Sequence, residues 1–273
     1  MAWDQPKGVA DLPTSNEPST PTPLILVKVK KPSLKVEDIF LIQLMNFFNV
    51  DEPLIRKKQE ALDVQDLQGL WRLRWRIGRV SLLSLLYTRI DQVFVIWGWI
   101  TGLIFVTAQF LPLSWQLQAV LWSVLTLTGM LGMSTLAWFW VRVEQLCWLV
   151  YVWVGLMLVG LSLTNCGIFL HWGQVLMQLC PMWLGLSAIG YFCTGWGMRS
   201  RTFMLAGVLH LLGIAVLPYS AQWSFATTGA VIAGTLLFLA EVQWDMRPPS
   251  ATALLTIEQQ QFNREQYQRR LTK

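Results

Sequence analysis

The chain is short of charge. Of its 273 residues only 14% are Asp, Glu, Lys or Arg, whereas a soluble domain carries about 25%. The shortage is local: between Gln92 and Ala240 the only charged residues are Arg142, Glu144, Arg199 and Arg201. A stretch this poor in charge cannot coat a water-facing surface, which excludes a soluble globular domain. It also lacks the basic face that nucleic acid requires, so nucleic acid is excluded as a partner. Cysteine is sparse as well. Cys147, Cys166, Cys180 and Cys193 all fall in or beside apolar stretches, and no two stand at CxxC spacing. That excludes a secreted disulfide scaffold and a zinc or iron–sulfur centre, and leaves buried thiols acting as small hydrophobes. No P-loop, GxGxxG, HExxH or nucleophile elbow occurs. The first 23 residues have no apolar core for a secretory signal, and no Arg for a transit peptide.

What is present is hydrophobicity, at 54% of residues. A helix needs about 20 apolar residues to cross a bilayer, so the charge-poor region has room for six spans. The expected ranges are 93–111, 117–140, 146–170, 175–197, 203–219 and 223–242. The fold class is therefore all-α, a polytopic transmembrane helical bundle with six spans. Residues 1–35 are expected to be a disordered leader and extended arm, in which 24–30 partly alternates like a short strand. Residues 36–92 should hold amphipathic and interfacial helices, the first at 36–50. Residues 243–273 form a tail, expected as a short solvated helix after Pro248 and Pro249.

Loop charge gives an independent check. The connections after spans one, three and five hold no Asp, Glu, Lys or Arg, while those after spans two and four hold Arg142, Glu144, Arg199 and Arg201. With six spans all 21 Lys and Arg residues fall on one side, which the positive-inside rule makes cytoplasmic. Both termini belong there. Tryptophan supports the same limits: Trp115, Trp172 and Trp223 mark the far interface, and Trp71, Trp138, Trp140, Trp148, Trp196 and Trp244 the near one.

Four groups of residues could carry function. The run 70–79 (LWRLRWRIGR) places Trp71 and Trp75 one helical turn apart, with Arg72, Arg76 and Arg79 as a basic stripe. It reads as an interfacial helix on anionic lipid headgroups. His210 lies about 10 Å into the fifth span and is the candidate ligand for a haem or pigment. The plainer reading is a histidine bonded to a backbone carbonyl or to Ser or Thr of the next helix. His171, at the far interface, is too distant in depth to share a haem with His210. Asn165, Gln174, Gln178 and His171 mark a possible polar cavity at the far side, beside Pro181, with Gln109 and Gln118 near enough to extend it. Finally, small residues recur four apart at Gly98/Gly102, Thr128/Gly132, Gly229/Ala233 and Ala230/Gly234, a spacing that lets helices approach closely.

No carboxylate lies within a span, so ion-coupled transport and carboxylate catalysis have little to work with. No cofactor and no metal is required by the sequence. The reading that asks least of the core is a non-enzymatic accessory, assembly or scaffold subunit, binding a membrane-protein partner or a second copy through helix faces and cytoplasmic ends. A small-solute or ion permease, and an interfacial membrane enzyme, are the alternatives.

Overall fold

The computed structural model describes residues 47–48, 52–58, 61–77 and 80–272. The expected leader, the strand at 24–30, most of the helix at 36–50 and Arg79 lie outside them. Two small antiparallel pairs and nine helices are described. Strand β1 (Ile55–Lys57) and helix α1 (Val64–Leu67) precede the hairpin β2 (Trp71–Ile77) and β3 (Val80–Tyr87). Then come α2 (Arg89–Phe110), α3 (Trp115–Val143), α4 (Cys147–Phe169), the short α5 (Gly173–Met177) and α6 (Leu179–Met198). Helix α7 (Arg201–Val216), a 3-10 turn (Leu217–Trp223), α8 (Ser224–Glu241), β4 (Val242–Trp244) and α9 (Ile257–Leu271) complete the order.

This is an all-α, multi-pass membrane protein. Among the described residues four helical stretches are long and apolar enough to cross a bilayer: Arg89–Phe110, Trp115–Val143, Cys147–Phe169 and Arg201–Glu241. The last is two legs. A straight helix of 41 residues would run about 60 Å, yet the backbone N–H of Arg201 meets Asp245 Oδ2 at 3.0 Å. The chain therefore leaves and returns to the same end, turning where Ser220 departs from helical dihedrals. Helices α2, α3, α4, α6 and α8 form a ring, each packed on the next, and α7 lies outside against α6 and α8.

Local chemistry sets the helix ends. Thr88 caps α2 by accepting from Asp91 N at 3.2 Å while Asp91 Oδ2 accepts from Thr88 N at 2.8 Å, a reciprocal pair that satisfies two otherwise orphaned donors. Ser114 caps α3 in the same sense, accepting from Leu117 N. Helix α4 stops where His171 takes a left-handed φ of 54° and Trp172 N reaches back to Gly167 O at 2.9 Å, a Schellman closure.

The tightest packing in the ring is between α2 and α8, where two of the small-residue pairs are used. A β-carbon on Gly229 would stand 2.6 Å from Phe105 Cβ, and one on Gly98 would stand 2.8 Å from Leu237 Cδ2. Gly102 in turn faces Ala233 Cβ at 3.8 Å.

The segment 70–87 departs from expectation. It is a hairpin rather than an interfacial helix: Trp71 pairs with Tyr87, Arg72 with Leu86 and Leu73 with Leu85, with a bulge between Trp75 and Arg76. The arm and the tail meet instead through a second ladder, Ile55 with Trp244 and Lys57 with Val242. Gly229→Leu should force α2 and α8 apart, because a Cβ–Cβ clash cannot be relieved by rotating a side chain. Overpacking of this kind costs about 1–3 kcal/mol, so a clear fall in the unfolding temperature of the detergent-solubilised protein is expected. An unchanged temperature would show that this contact does not hold the ring.

Candidate functional site

Two features stand out: a polar cap at one end of the bundle, and an apolar lumen along its axis. The cap is made by segments far apart in sequence. Arg270 of α9 meets Asp63 Oδ2 through both terminal nitrogens at 3.2 Å and donates to Ala61 O at 3.1 Å. Glu52 lies beside it, paired with Arg56 at 3.0 Å and accepting from Met246 N at 3.2 Å. Gln65 donates to Glu144 Oε1 at 2.7 Å and accepts from Asn263 Nδ2 at 2.9 Å. Asp66 accepts from the indole of Trp140 at 3.0 Å, and Arg247 donates to Glu144 O. Arm, α3–α4 turn and tail are thus joined by charge-assisted hydrogen bonds, the stronger kind.

A second knot lies beside the first. Asp245 accepts from Ser200 Oγ at 2.9 Å, from Arg201 Nε at 2.9 Å and from the Arg201 and Thr202 backbone N–H groups at 3.0 and 3.1 Å. Those N–H groups open α7, so a carboxylate from 44 residues away performs the cap that Ser200 does not make. Burial pushes the Asp245 carboxyl upward, but the bonds from Arg201 and Thr202 outweigh it and hold the group below its ordinary value. Lys58 pairs with Asp91 at 3.1 Å and lies over the Tyr87 ring at 4.0 Å. Burial lowers its pKa despite that partner.

The first knot behaves oppositely. Burial lifts the Asp63 carboxyl to about 7 against the opposing charge of Arg270. Burial, with the neighbouring Asp63 charge, lifts Glu144 to about 7. Asp66 is raised too, again by burial first. The cause is desolvation: several carboxylates share few cations where water is excluded.

The lumen is a cavity of about 160 Å³ inside the helix ring. Its walls are aromatic, with Trp97, Trp122, Trp153, Trp183, Tyr191 and Phe203 among them. Three of the hydroxyls in those walls are taken up within their own helices: Thr101, Thr164 and Thr194 each donate to a backbone carbonyl. Threonines also take the indole N–H groups, Thr107 from Trp122 at 3.1 Å, Thr194 from Trp153 at 3.0 Å and Thr164 from Trp183 at 3.2 Å. Trp97 Nε1 and Tyr191 Oη, both buried, have no such partner. At the far end a groove of about 750 Å³ adjoins the lumen, and Ala108 and Phe225 border both.

The sequence candidates divide among these places. His210 is fully buried between helices; its Nδ1 lies 2.8 Å from Ala206 O, which fixes the proton on Nδ1, and its ring stands 4.8 Å from that of Tyr191. Nε2 is sealed and unpartnered, and His210 lines neither lumen nor groove. Asn165 is tied to Ser123 of α3 at 3.1 Å and to Leu161 O at 2.9 Å. His171, Gln174 and Gln178 are exposed at the far end. Gln178 borders the groove with Gln109, which is held by Gln222 O at 3.0 Å and Ala226 N at 3.1 Å. Asn165 is therefore not joined to that groove. Arg72 and Arg76 stand in β2 at equal strand parity, with Arg74 between them. Among the described residues no group of three or more His, Cys, Asp and Glu is placed to hold a metal ion.

The tail was expected to be solvated, and here the structure corrects the sequence. Helix α9 buries Asn263, Gln266 and Arg270, a polar face no hydrophobicity count would single out. Glu52, Asp63 and Asp245 went unnoticed for the same reason. Compared with protein-family models, with curated proteins and with solved structures, the chain matches none. Fold and site together define a multi-pass helical membrane protein whose described charges are concentrated at one end.

The raised carboxyl values make docking of the cap depend on pH. A carboxyl whose pKa is higher folded than free holds its proton more tightly when folded, so stability falls as pH rises from the free value of about 4 to the folded value of about 7. Protection of α9 from hydrogen exchange, corrected for intrinsic rate, should thus rise as pH drops from about 8 to about 5. Asp63→Asn and Glu144→Gln together should flatten that dependence. Protection that rises with pH instead would contradict this account of the cap.

Proposed function

We propose that the protein is a non-enzymatic membrane accessory subunit, of assembly or scaffold type, which holds a partner through an outward helix face. The observation that carries this reading is the fate of the small-residue pairs. Two of the four are consumed in packing α2 on α8. Thr128/Gly132 on α3 and Ala230/Gly234 on α8 are left outward, and a β-carbon on Gly132 or Gly234 would meet no atom within 4 Å. Such faces admit a neighbouring backbone, and in lipid close packing is what drives helix association.

The cap supports the reading from another side. Its charges are bonded to one another, as in a rigid platform rather than a reaction centre. The walls of the lumen are mostly apolar and hold no charged residue, so the permease reading draws less support.

In this reading the chain crosses six times with both ends cytoplasmic. Support comes from the return of Arg201–Glu241 to its starting end and from the gathering of Glu144, Arg201, Asp245 and Arg270 there. With native cysteines removed, Gln174→Cys and Arg269→Cys should react with an impermeant thiol reagent from opposite sides of oriented vesicles. Labelling from the same side would break the six-span topology.

The partner face has its own test. Gly132→Leu and Gly234→Leu meet no internal atom, so the unfolding temperature should stay within a degree or two of the parent's. Each should lower recovery of a co-purifying membrane protein, or of a second tagged copy, by about tenfold, a loss of about 1.4 kcal/mol. Unaltered recovery with both variants would remove the outward faces from the function.

A further inference from the structure

The walls of the lumen follow a pattern that the accessory-subunit reading does not require. Helices α4 and α6 carry one motif twice, Trp153–Thr164 (WVGLMLVGLSLT) and Trp183–Thr194 (WLGLSAIGYFCT). Trp, Gly, Leu, Gly and Thr recur at the same places, the second glycine seven residues after the tryptophan and the threonine eleven after it. The structure shows what these residues do. A β-carbon on Gly190 would stand 2.5 Å from Trp153 Cη2, and one on Gly160 would stand 2.7 Å from Trp183 Cη2. The indole N–H of Trp153 donates to Thr194 at 3.0 Å, and that of Trp183 donates to Thr164 at 3.2 Å. Each threonine donates in turn to the carbonyl of the glycine under the same ring, Thr194 to Gly190 O and Thr164 to Gly160 O. The two antiparallel helices thus exchange one lock twice. Each indole is seated on a glycine of the other helix and tied there at its nitrogen.

This arrangement decides what kind of space the lumen is. Protein interiors are close-packed, with few voids larger than a water molecule, and what a void costs depends on how far its neighbours can collapse into it. Trp153 and Trp183 border the lumen together with Thr164 and Thr194. Neither indole can swing inward without breaking its hydrogen bond and emptying its glycine notch. Trp122 and Trp140, in the same wall, are tied at nitrogen to Thr107 and Asp66. Trp97 is seated in a similar way, its Cζ2 3.1 Å from a β-carbon placed on Gly129 of α3. The cavity of about 160 Å³ is therefore held open by its own walls. Those walls are mostly apolar and hold no charged residue, so an ion would find no counter-charge in them. An apolar cavity of comparable volume, about 150 Å³, stays dry and takes up benzene.

We propose that the lumen is a binding site for a neutral hydrocarbon group of about benzene size, kept formed by the paired Trp–Gly–Thr locks of α4 and α6. The group belongs either to a free apolar molecule or to the end of a membrane lipid's acyl chain. The recognising chemistry is the same for both, and experiment separates them.

The test is fluorine NMR of the full chain in lipid nanodiscs, titrated with fluorobenzene. One saturable protein-bound signal is expected, and unlabelled benzene should displace it. Ser187→Phe and Leu161→Trp fill the lumen from α6 and α4, and in whichever variant folds the bound signal should vanish. If neither folds, the threonine series decides. Thr164→Val and Thr194→Val remove the indole acceptors and should each weaken fluorobenzene about 3- to 10-fold, the worth of one hydrogen bond. Thr164→Ser and Thr194→Ser keep a hydroxyl and should bind as the parent does. A second arm omits fluorobenzene and uses a phosphatidylcholine fluorinated at the ends of its acyl chains. A protein-bound chain-end signal that benzene displaces identifies the lipid as the source; fluorobenzene binding without such a signal identifies a free molecule. The proposal is overturned if neither arm shows saturable binding, if the bound signal persists in a folded filled variant, or if both valine variants bind like the parent. None of these outcomes bears on Gly132 and Gly234, so the partner reading stands or falls separately.

Discussion

Moving a carboxylate or a guanidinium out of water costs several kcal/mol unless a partner takes up its charge, and the rest of this architecture follows from how that cost is met. Arg270 is almost completely buried, yet it lies against Asp63, Glu52 and the carbonyl of Ala61. Asp245 is buried and receives five donors from the start of α7. Each carboxylate therefore binds two segments to one another. Removing one side would leave the other charged and unpaired, so the cap is a lock whose parts hold only in combination. The raised pKa values of Asp63 and Glu144 show where the supply of cations runs short.

Concentrating charge at one end has a consequence for the other parts of the bundle. Away from their near ends the helices have no ion pairs among their described residues, and their cohesion rests on shape and on a few hydrogen bonds between helices, such as those of Trp122 to Thr107 and Trp153 to Thr194. Gly98 and Gly229 bring α2 and α8 together because neither has a β-carbon to keep them apart. Aromatic side chains do the converse work across the ring, holding five helices around a centre they do not fill. Close contact at one seam and bulky walls around the lumen are two uses of the same constraint, since lipid offers no hydrophobic drive to helix association.

The elements legible in sequence were those set by composition over some twenty residues. The observed helices fall within a few residues of the expected ranges except in the fourth, which is divided between α5 and α6, and the fifth range, shortest of the six, is the one whose helix ends earliest and gives way to a 3-10 turn. The hairpin was misread because Trp71 and Trp75 satisfy a four-residue helical spacing and a two-residue strand spacing equally. Arg74 was the discriminating residue: it fills out the alternation of Arg72, Arg74 and Arg76 with Trp71, Leu73, Trp75 and Ile77, which is the period of a strand. The cap could not be read at all. Its bonds join positions such as Gln65 with Asn263 and Asp63 with Arg270, and no local pattern announces a contact across some 200 residues.

The lumen and the cap are connected by Trp140. Its ring lines the lumen, and its indole N–H leaves that apolar space to donate to Asp66, beside the Asp63–Arg270 pair. Trp244 makes a similar join, lining the lumen from the β4 ladder that pairs with the arm. At the near end the lumen is therefore lined by side chains whose positions are set by the cap. The far end opens toward a groove beside a turn with no charged residue, in which Ser220 interrupts the helix. Whatever loosens the cap acts on the near end of the lumen through these two tryptophans, Trp140 by its bond to Asp66 and Trp244 by its place in the β4 ladder. The lumen wall and the docked arm and tail thus share side chains at one end of the bundle.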